Sequence, residues 1–150
     1  MKIRINIDEG ADEPEIVISC NRLDADIAMI QAALAEALAR SSKLALIRDD
    51  REYYLPPDEI LFFETVDSKT YAHTADETFL VKLKLYELEE ILPVSHRRIS
   101  KSAIVGTRHI YSITRNLTGP SLIRFRDSHK QISVSRSYYK QLINKLSERS

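Results

Sequence analysis

The sequence predicts an α+β fold dominated by β structure, with one helix in the middle of the main domain and one at its end. Short apolar stretches of three to five residues recur between turn-forming residues from Ile60 to Val134, the pattern of many short strands. Helical spacing of apolar residues interrupts that pattern twice, at Leu85, Leu88, Ile91 and Leu92 and again at Tyr139, Leu142, Ile143 and Leu146. Residues 1–57 follow a different plan: two candidate strands and a long helix, an N-terminal β-β-α extension closed by a hairpin.

Taken in order, Lys2 to Ile7 alternates Ile3, Ile5 and Ile7 with polar neighbours, which predicts a strand of period two. The acidic stretch from Asp8 to Pro14 reads as a turn, and Glu15 to Cys20 as a returning strand. Asp24 is placed to cap a helix whose Ile27, Ile30, Leu34 and Leu38 share one face among helix-favouring alanines. Leu44–Ile47 and Tyr53–Leu55 form a predicted hairpin, and Pro56-Pro57 marks the boundary between units at 1–57 and 58–150. Strands are then expected at Ile60–Phe63, Thr70–His73 and Thr78–Lys82, followed by a helix that Pro93 ends. Ser95 to Ser102 reads as a loop mixing bases and hydroxyls. Four more strands follow at Ala103–Val105, Ile110–Ile113, Leu122–Phe125 and Ile132–Val134. Ser135 or Ser137 is positioned to cap the last helix.

The formal net charge of zero conceals a polar layout. Residues 95–150 hold twelve basic side chains against Asp127 and Glu148 alone, a net of +10. Residues 58–94 sum to −6 and residues 1–57 to −4. A basic end of this density is the footprint of a protein that meets a polyanion. Three glycines, with no GxGxxG or GxxxxGK[ST] pattern, argue against a phosphate-cradling loop. His73, His96, His109 and His129 lack metal-ligand spacing, so no metal site is expected. The paired carboxylates fall in a turn and on a helix face, and no serine has a nucleophile-elbow context; no catalytic residues, no enzyme and no cofactor are expected. Cys20, the only cysteine, lies near Val17-Ile18 and is expected to be a buried structural thiol. With no signal-peptide core and no membrane-length apolar run, a cytoplasmic protein is expected.

Two basic clusters carry the most information. In Ser95-His-Arg-Arg-Ile-Ser-Lys-Ser102, lysine and arginine attract phosphate, arginine can also read guanine edges, and Ser100 and Ser102 are short donors for phosphate oxygens. In Val134-Ser-Arg-Ser-Tyr138, Arg136 stands where unpaired N–H groups and the dipole of a helix N-terminus favour an anion.

Four blocks in order resemble the LytTR DNA-binding domain: Ile60–Tyr71, Leu83–Pro93, Arg98–Val105 and Ile132–Tyr139, spanning roughly residues 58–148. The Leu-x-x-Leu-Glu-x-x-Leu-Pro helix and the Ser-Arg-Ser-Tyr helix start are its most specific parts. The stretch 1–57 resembles the short extension of small family members that lack a phospho-receiver domain. The resemblance implies an elongated stack of small antiparallel sheets that binds double-stranded DNA through loops in the major groove. Carried over residue by residue, it implies DNA contacts near Lys69 and Thr70, at Arg98, Ser100, Lys101 and Ser102, and at Arg136, with Lys101 and Arg136 reading the groove. It also implies a transcriptional regulator not controlled by phosphorylation, with a small membrane protein as regulatory partner. For a homodimer, the helix face of Ile27, Ile30, Leu34 and Leu38 is a candidate seam, its packing on its own strands being the first alternative. Three features depart from the family pattern: Gly106 replaces an asparagine, His96-Arg97 replaces an aromatic pair, and the Leu117–Ser121 turn is longer. The rival reading is a non-catalytic RNA-binding or protein-interaction module whose basic surface docks an acidic partner. The absence of tryptophan and the core-like setting of Phe62, Phe63, Phe79 and Phe125 argue against an RNA-stacking platform.

Overall fold

The computed structural model describes residues 2–10 and 15–147, apart from the side chains of 39–41. Part of the acidic turn, at 11–14, and the charged tail at 148–150 lie outside the described residues. The first helix, α1, runs Ala25–Ser41, and Asp24 caps it as expected, its Oδ1 accepting from the Ile27 N–H at 3.0 Å. Strands β1 (Leu44–Arg48) and β2 (Arg51–Leu55) form a hairpin, as do β3 (Phe62–Val66) and β4 (Lys69–His73). Each hairpin turns through two residues with positive φ: Asp49 and Asp50 (53° and 61°), then Asp67 and Ser68 (51° and 66°). That geometry matches the right-handed twist of the strands, and aspartate tolerates it better than most residues with a Cβ.

Strand β5 (Thr78–Val81) leads into α2 (Leu85–Ile91), whose start is closed by the Lys84 N–H donating to Glu87 Oε1 at 3.0 Å. Then come β6 (His96–Ser100), β7 (Ala103–Gly106), β8 (Ile110–Thr114), β9 (Ser121–Phe125), β10 (Gln131–Val134) and α3 (Arg136–Ser147). The strands make two antiparallel sheets, of order β2-β1-β5-β4-β3-β7-β6 and β10-β9-β8. The first is wider than the small sheets expected, because β1 pairs with β5 and brings the first hairpin onto its edge. The sheet therefore runs across the boundary drawn at residue 57.

Strand alternation divides the interior in two. Phe63, Ala72, Phe79, Leu88 and Ile104 pack on one side of the large sheet, beneath α2. Phe62, Ala103 and Val105 face the other way, meeting Ile123, Phe125 and Val134 of the small sheet and Leu142 of α3. All four phenylalanines are buried, as expected.

Three sequence expectations are corrected, and two departures from the family pattern find their reason. The strands at Lys2–Ile7 and Glu15–Cys20 do not form; alternation describes a face, and a strand needs a neighbour to complete its backbone ladder. Cys20 is exposed, lining an open groove with Ile27 and Leu34 of α1 rather than lying in a core. The supposed loop after Ser95 is mostly strand β6, whose polar sequence hides it and whose pairing with β7 creates it. Finally, Gly106 and His96, two departures from the family pattern, are cross-strand partners. A Cβ at 106 would stand 2.8 Å from the Ile60 carbonyl and 3.2 Å from His96 Nε2, so even a methyl there forces its neighbours to shift. His96 is buried, and desolvation holds its imidazole neutral, with a pKa lowered from 6.5 to about 4. No helix among the described residues is long and apolar enough to cross a membrane.

Candidate nucleic-acid interface

Three loops gather at one end of the large sheet, and two backbone hydrogen bonds join them. The Thr65 N–H donates to the Ser102 carbonyl at 2.8 Å, fastening the β3–β4 hairpin to the β6–β7 turn. The Ser135 N–H donates to the Ile99 carbonyl at 2.8 Å, fastening the start of α3 to β6. The rigidity of these bonds matters because loops read a groove only when their spacing is held by a scaffold.

Lys69 emerges exposed from the tight β3–β4 turn. Thr70, the next residue, points to the opposite face and is 7% exposed, which corrects its assignment as a contact residue. Lys101 is exposed at the tip of the β6–β7 turn. Ser100 is half-buried and accepts from the Ser102 N–H at 3.1 Å, closing that turn, while Ser102 is exposed. Arg98 is occupied within the protein: its guanidinium donates to the Ser100 and Lys101 carbonyls and pairs with Glu89 of α2. It is a brace for the turn that presents Lys101. Arg136 is the first residue of α3 and is exposed, at the positive end of the helix dipole.

The structure adds two bases that the sequence reading counted and did not assign. Arg115 and Lys140 join Arg136 around a cleft of about 240 Å³, with Arg115 lying 5.1 Å from the Tyr139 ring centroid. Lys140 follows Arg136 by four residues, the spacing that places two side chains on one helix face, so that signal was present. Tyr138 and Tyr139 are partly buried against the second core, which limits their use as platforms for bases.

Lys130 belongs to the basic segment and yet serves the fold. Its Nζ donates to the Glu77 carbonyl, to Thr78 Oγ1 at 3.3 Å and to His73 Nδ1 at 3.2 Å, while His73 Nε2 donates to Glu64 at 2.8 Å. His73 also stacks on Phe62 with ring centroids 4.2 Å apart. Burial and the adjacent Lys130 lower the His73 pKa, and burial lowers that of Lys130. This network pins the small sheet to the large one, and so sets where β10 delivers Arg136.

Comparison with known proteins agrees with the architecture. The family model of the LytTr DNA-binding domain matches residues 50–147. An uncharacterized HTH-type transcriptional regulator of Staphylococcus aureus (strain NCTC 8325 / PS 47) is 29% identical over 147 residues, covering 98% of this chain and 99% of the relative. Another so described, from S. aureus strain bovine RF122/ET3-1, is 32% identical over 150 residues with the same coverage of both chains. Among solved structures, the LytTr DNA-binding domain of a putative methyl-accepting/DNA response regulator from Bacillus cereus superposes with a TM-score of 0.62. It is 27% identical and covers 69% of this chain and 97% of that one. Despite the relatives' naming, α2 and α3 are separated by five strands and do not form a helix-turn-helix pair. The loop cluster, the two-sheet stack and the sequence match agree: this chain belongs to the LytTr DNA-binding domain family.

Proposed function

We propose that this chain is a sequence-specific transcriptional regulator that binds double-stranded DNA through its three joined loops. The observation that carries the reading is the pair of backbone bonds, Thr65 to Ser102 and Ser135 to Ile99, which hold exposed Lys69, Lys101 and Arg136 at one end of the sheet. Lys101 and Arg136 contact base edges in the major groove, where arginine can donate two hydrogen bonds to guanine. Lys69, Ser102, Arg115 and Lys140 hold phosphates, and Arg98 and Ser100 set the shape of the middle loop. The relatives named as transcriptional regulators support the regulatory role. The protein works in the cytoplasm as a homodimer, is controlled without phosphorylation, and takes a small membrane protein as its restraining partner through the acidic extension.

Selection of bound fragments from genomic DNA near physiological salt, with wild type and with the Lys101→Ala/Arg136→Ala double variant, tests the reading. A recurring motif, spaced by about one helical turn and lost in the variant, is expected. About six phosphate contacts give a log–log salt slope near −5 for the wild type. Enrichment without any motif, lowered alike by loss of any lysine or arginine, overturns specific recognition and leaves only a basic docking surface.

A further inference from the structure

Ile3, Ile5 and Ile7 are 94%, 84% and 90% exposed, although they form the most regular alternating apolar row in the chain. Among the described residues their segment has no strand partner: the Glu15–Cys20 segment that could close a hairpin with it is not strand either. Elsewhere in the extension the Glu15–Cys20 segment and α1 leave an apolar groove of about 430 Å³, lined by Ile16, Ile18 and Leu23 and by Ile27, Leu34 and Leu38. Helix α1 joins the domain near the Pro57–Glu59 turn and by the Val94 N–H donating to Glu36 Oε2 at 2.8 Å, and it buries none of its described side chains completely. Most of the stability of a protein helix comes from packing its apolar face.

We infer that residues 2–8 form the seam of the homodimer, pairing antiparallel with residues 2–8 of a second copy in a register centred on Ile5. The inference rests on the homodimer reading above and specifies its interface. The second copy fits because the segment is complementary to itself. About Ile5, Ile3 of each copy meets Ile7 of the other and the two Ile5 residues meet, all on one face. The other face sets Lys2 against Asp8 and Arg4 against Asn6, each pair occurring twice by symmetry.

Other registers lose this match. Parallel in-register pairing opposes Lys2 to Lys2 and Asp8 to Asp8. A one-residue slip sets isoleucines against polar side chains. Slips by two oppose Arg4 to Arg4 or place Ile3 against Glu9. The pairing sets the isoleucine row of each protomer beside that of the other.

The test uses the full chain with Cys20→Ser, so that no native thiol can oxidise, and contains no DNA. Sedimentation velocity at micromolar concentration is expected to show a dimer. Ile5→Lys sets two ammonium groups on the symmetry axis and is expected to give a monomer that unfolds as the wild type does when diluted to its own monomer. Opposed residues in antiparallel strands have Cα atoms about 4.5–5.5 Å apart, within disulfide range, so Ile5→Cys is expected to cross-link on mild oxidation. Arg4→Cys and Asn6→Cys, whose own copies lie across a diagonal, are expected not to. Lys2→Asp is expected to weaken the dimer by up to about tenfold, and Lys2→Asp/Asp8→Lys to restore it. A monomeric wild type overturns the homodimer reading itself. A dimeric wild type in which Ile5→Lys remains dimeric and Ile5→Cys does not cross-link overturns the seam alone.

Discussion

The strand β3 and the segment Lys2–Ile7 are both predicted as strands, one from a continuous apolar stretch and the other from alternation, and the structure treats them in opposite ways. In β3, Phe62 and Phe63 point to different cores, and the strand pairs with β4 on one edge and β7 on the other. In the N-terminal segment, three isoleucines alternate more regularly than anything in β3 and remain bare. Apolar patterning states which side chains seek cover. Whether cover exists depends on backbone partners that are supplied from elsewhere, here from within the domain in one case and, by our inference, from a second chain in the other.

The widest separation between the two regions comes from truncation. Phe63 is fully buried, so Phe63→Ala is expected to cost about 3–5 kcal/mol. Ile5→Ala, measured by urea unfolding at concentrations low enough to populate the monomer, is expected to change stability by no more than about 0.5 kcal/mol. A large effect at Ile5 in the monomer would mean that the extension packs on its own domain and would erase the contrast.

Acid should act on the domain through its buried imidazole. His96 stays neutral in the fold down to about pH 4, whereas the unfolded chain takes up that proton near 6.5. Between those values the unfolded state binds more protons, so stability falls as pH falls and the loss is complete below about pH 4. The shift corresponds to about 3 kcal/mol, and His73, also held below its usual range by burial and Lys130, acts in the same direction. Urea unfolding from pH 7 to pH 4 is expected to show a shallower fall for His96→Phe than for wild type.

Glycine substitutions give a smaller and finer comparison. Gly106→Ala forces a Cβ to 2.8 Å from the Ile60 carbonyl and is expected to cost about 1–3 kcal/mol. Gly10→Ala meets only Asp8 Oδ1 at 3.4 Å, an ordinary contact, and is expected to be nearly neutral in the same melting experiment. Equal effects would show that the extension is as tightly held as the sheet.

Much of this molecule was legible from local chemistry. The Asp24 cap, the α2 leucines ending at Pro93 and the seven short strands from Phe62 onward that carry β-forming residues were readable because each depends on its own residues and their spacing. Charge segregation placed the basic end, and the same segment supplied exposed Lys101 and Arg136. Strand β6 was not legible, since its His-Arg-Arg sequence lacks a strand pattern and β7 imposes one on it.

What the neighbours decide, only the tertiary structure could assign. Among four bases drawn from one stretch of charge, Arg98 braces a turn, Lys130 pins two sheets together, and Lys101 and Arg136 remain exposed at joined loops. Thr70 followed Lys69 in every sequence argument and turned inward because strand geometry sends adjacent side chains to opposite faces. The sequence by itself determined the family, the helices and the polarity of charge, because those follow from residues acting alone or along one element. The tertiary structure decided which charges face outward, since hydrogen-bond partners distant in sequence consume some donors and leave others exposed.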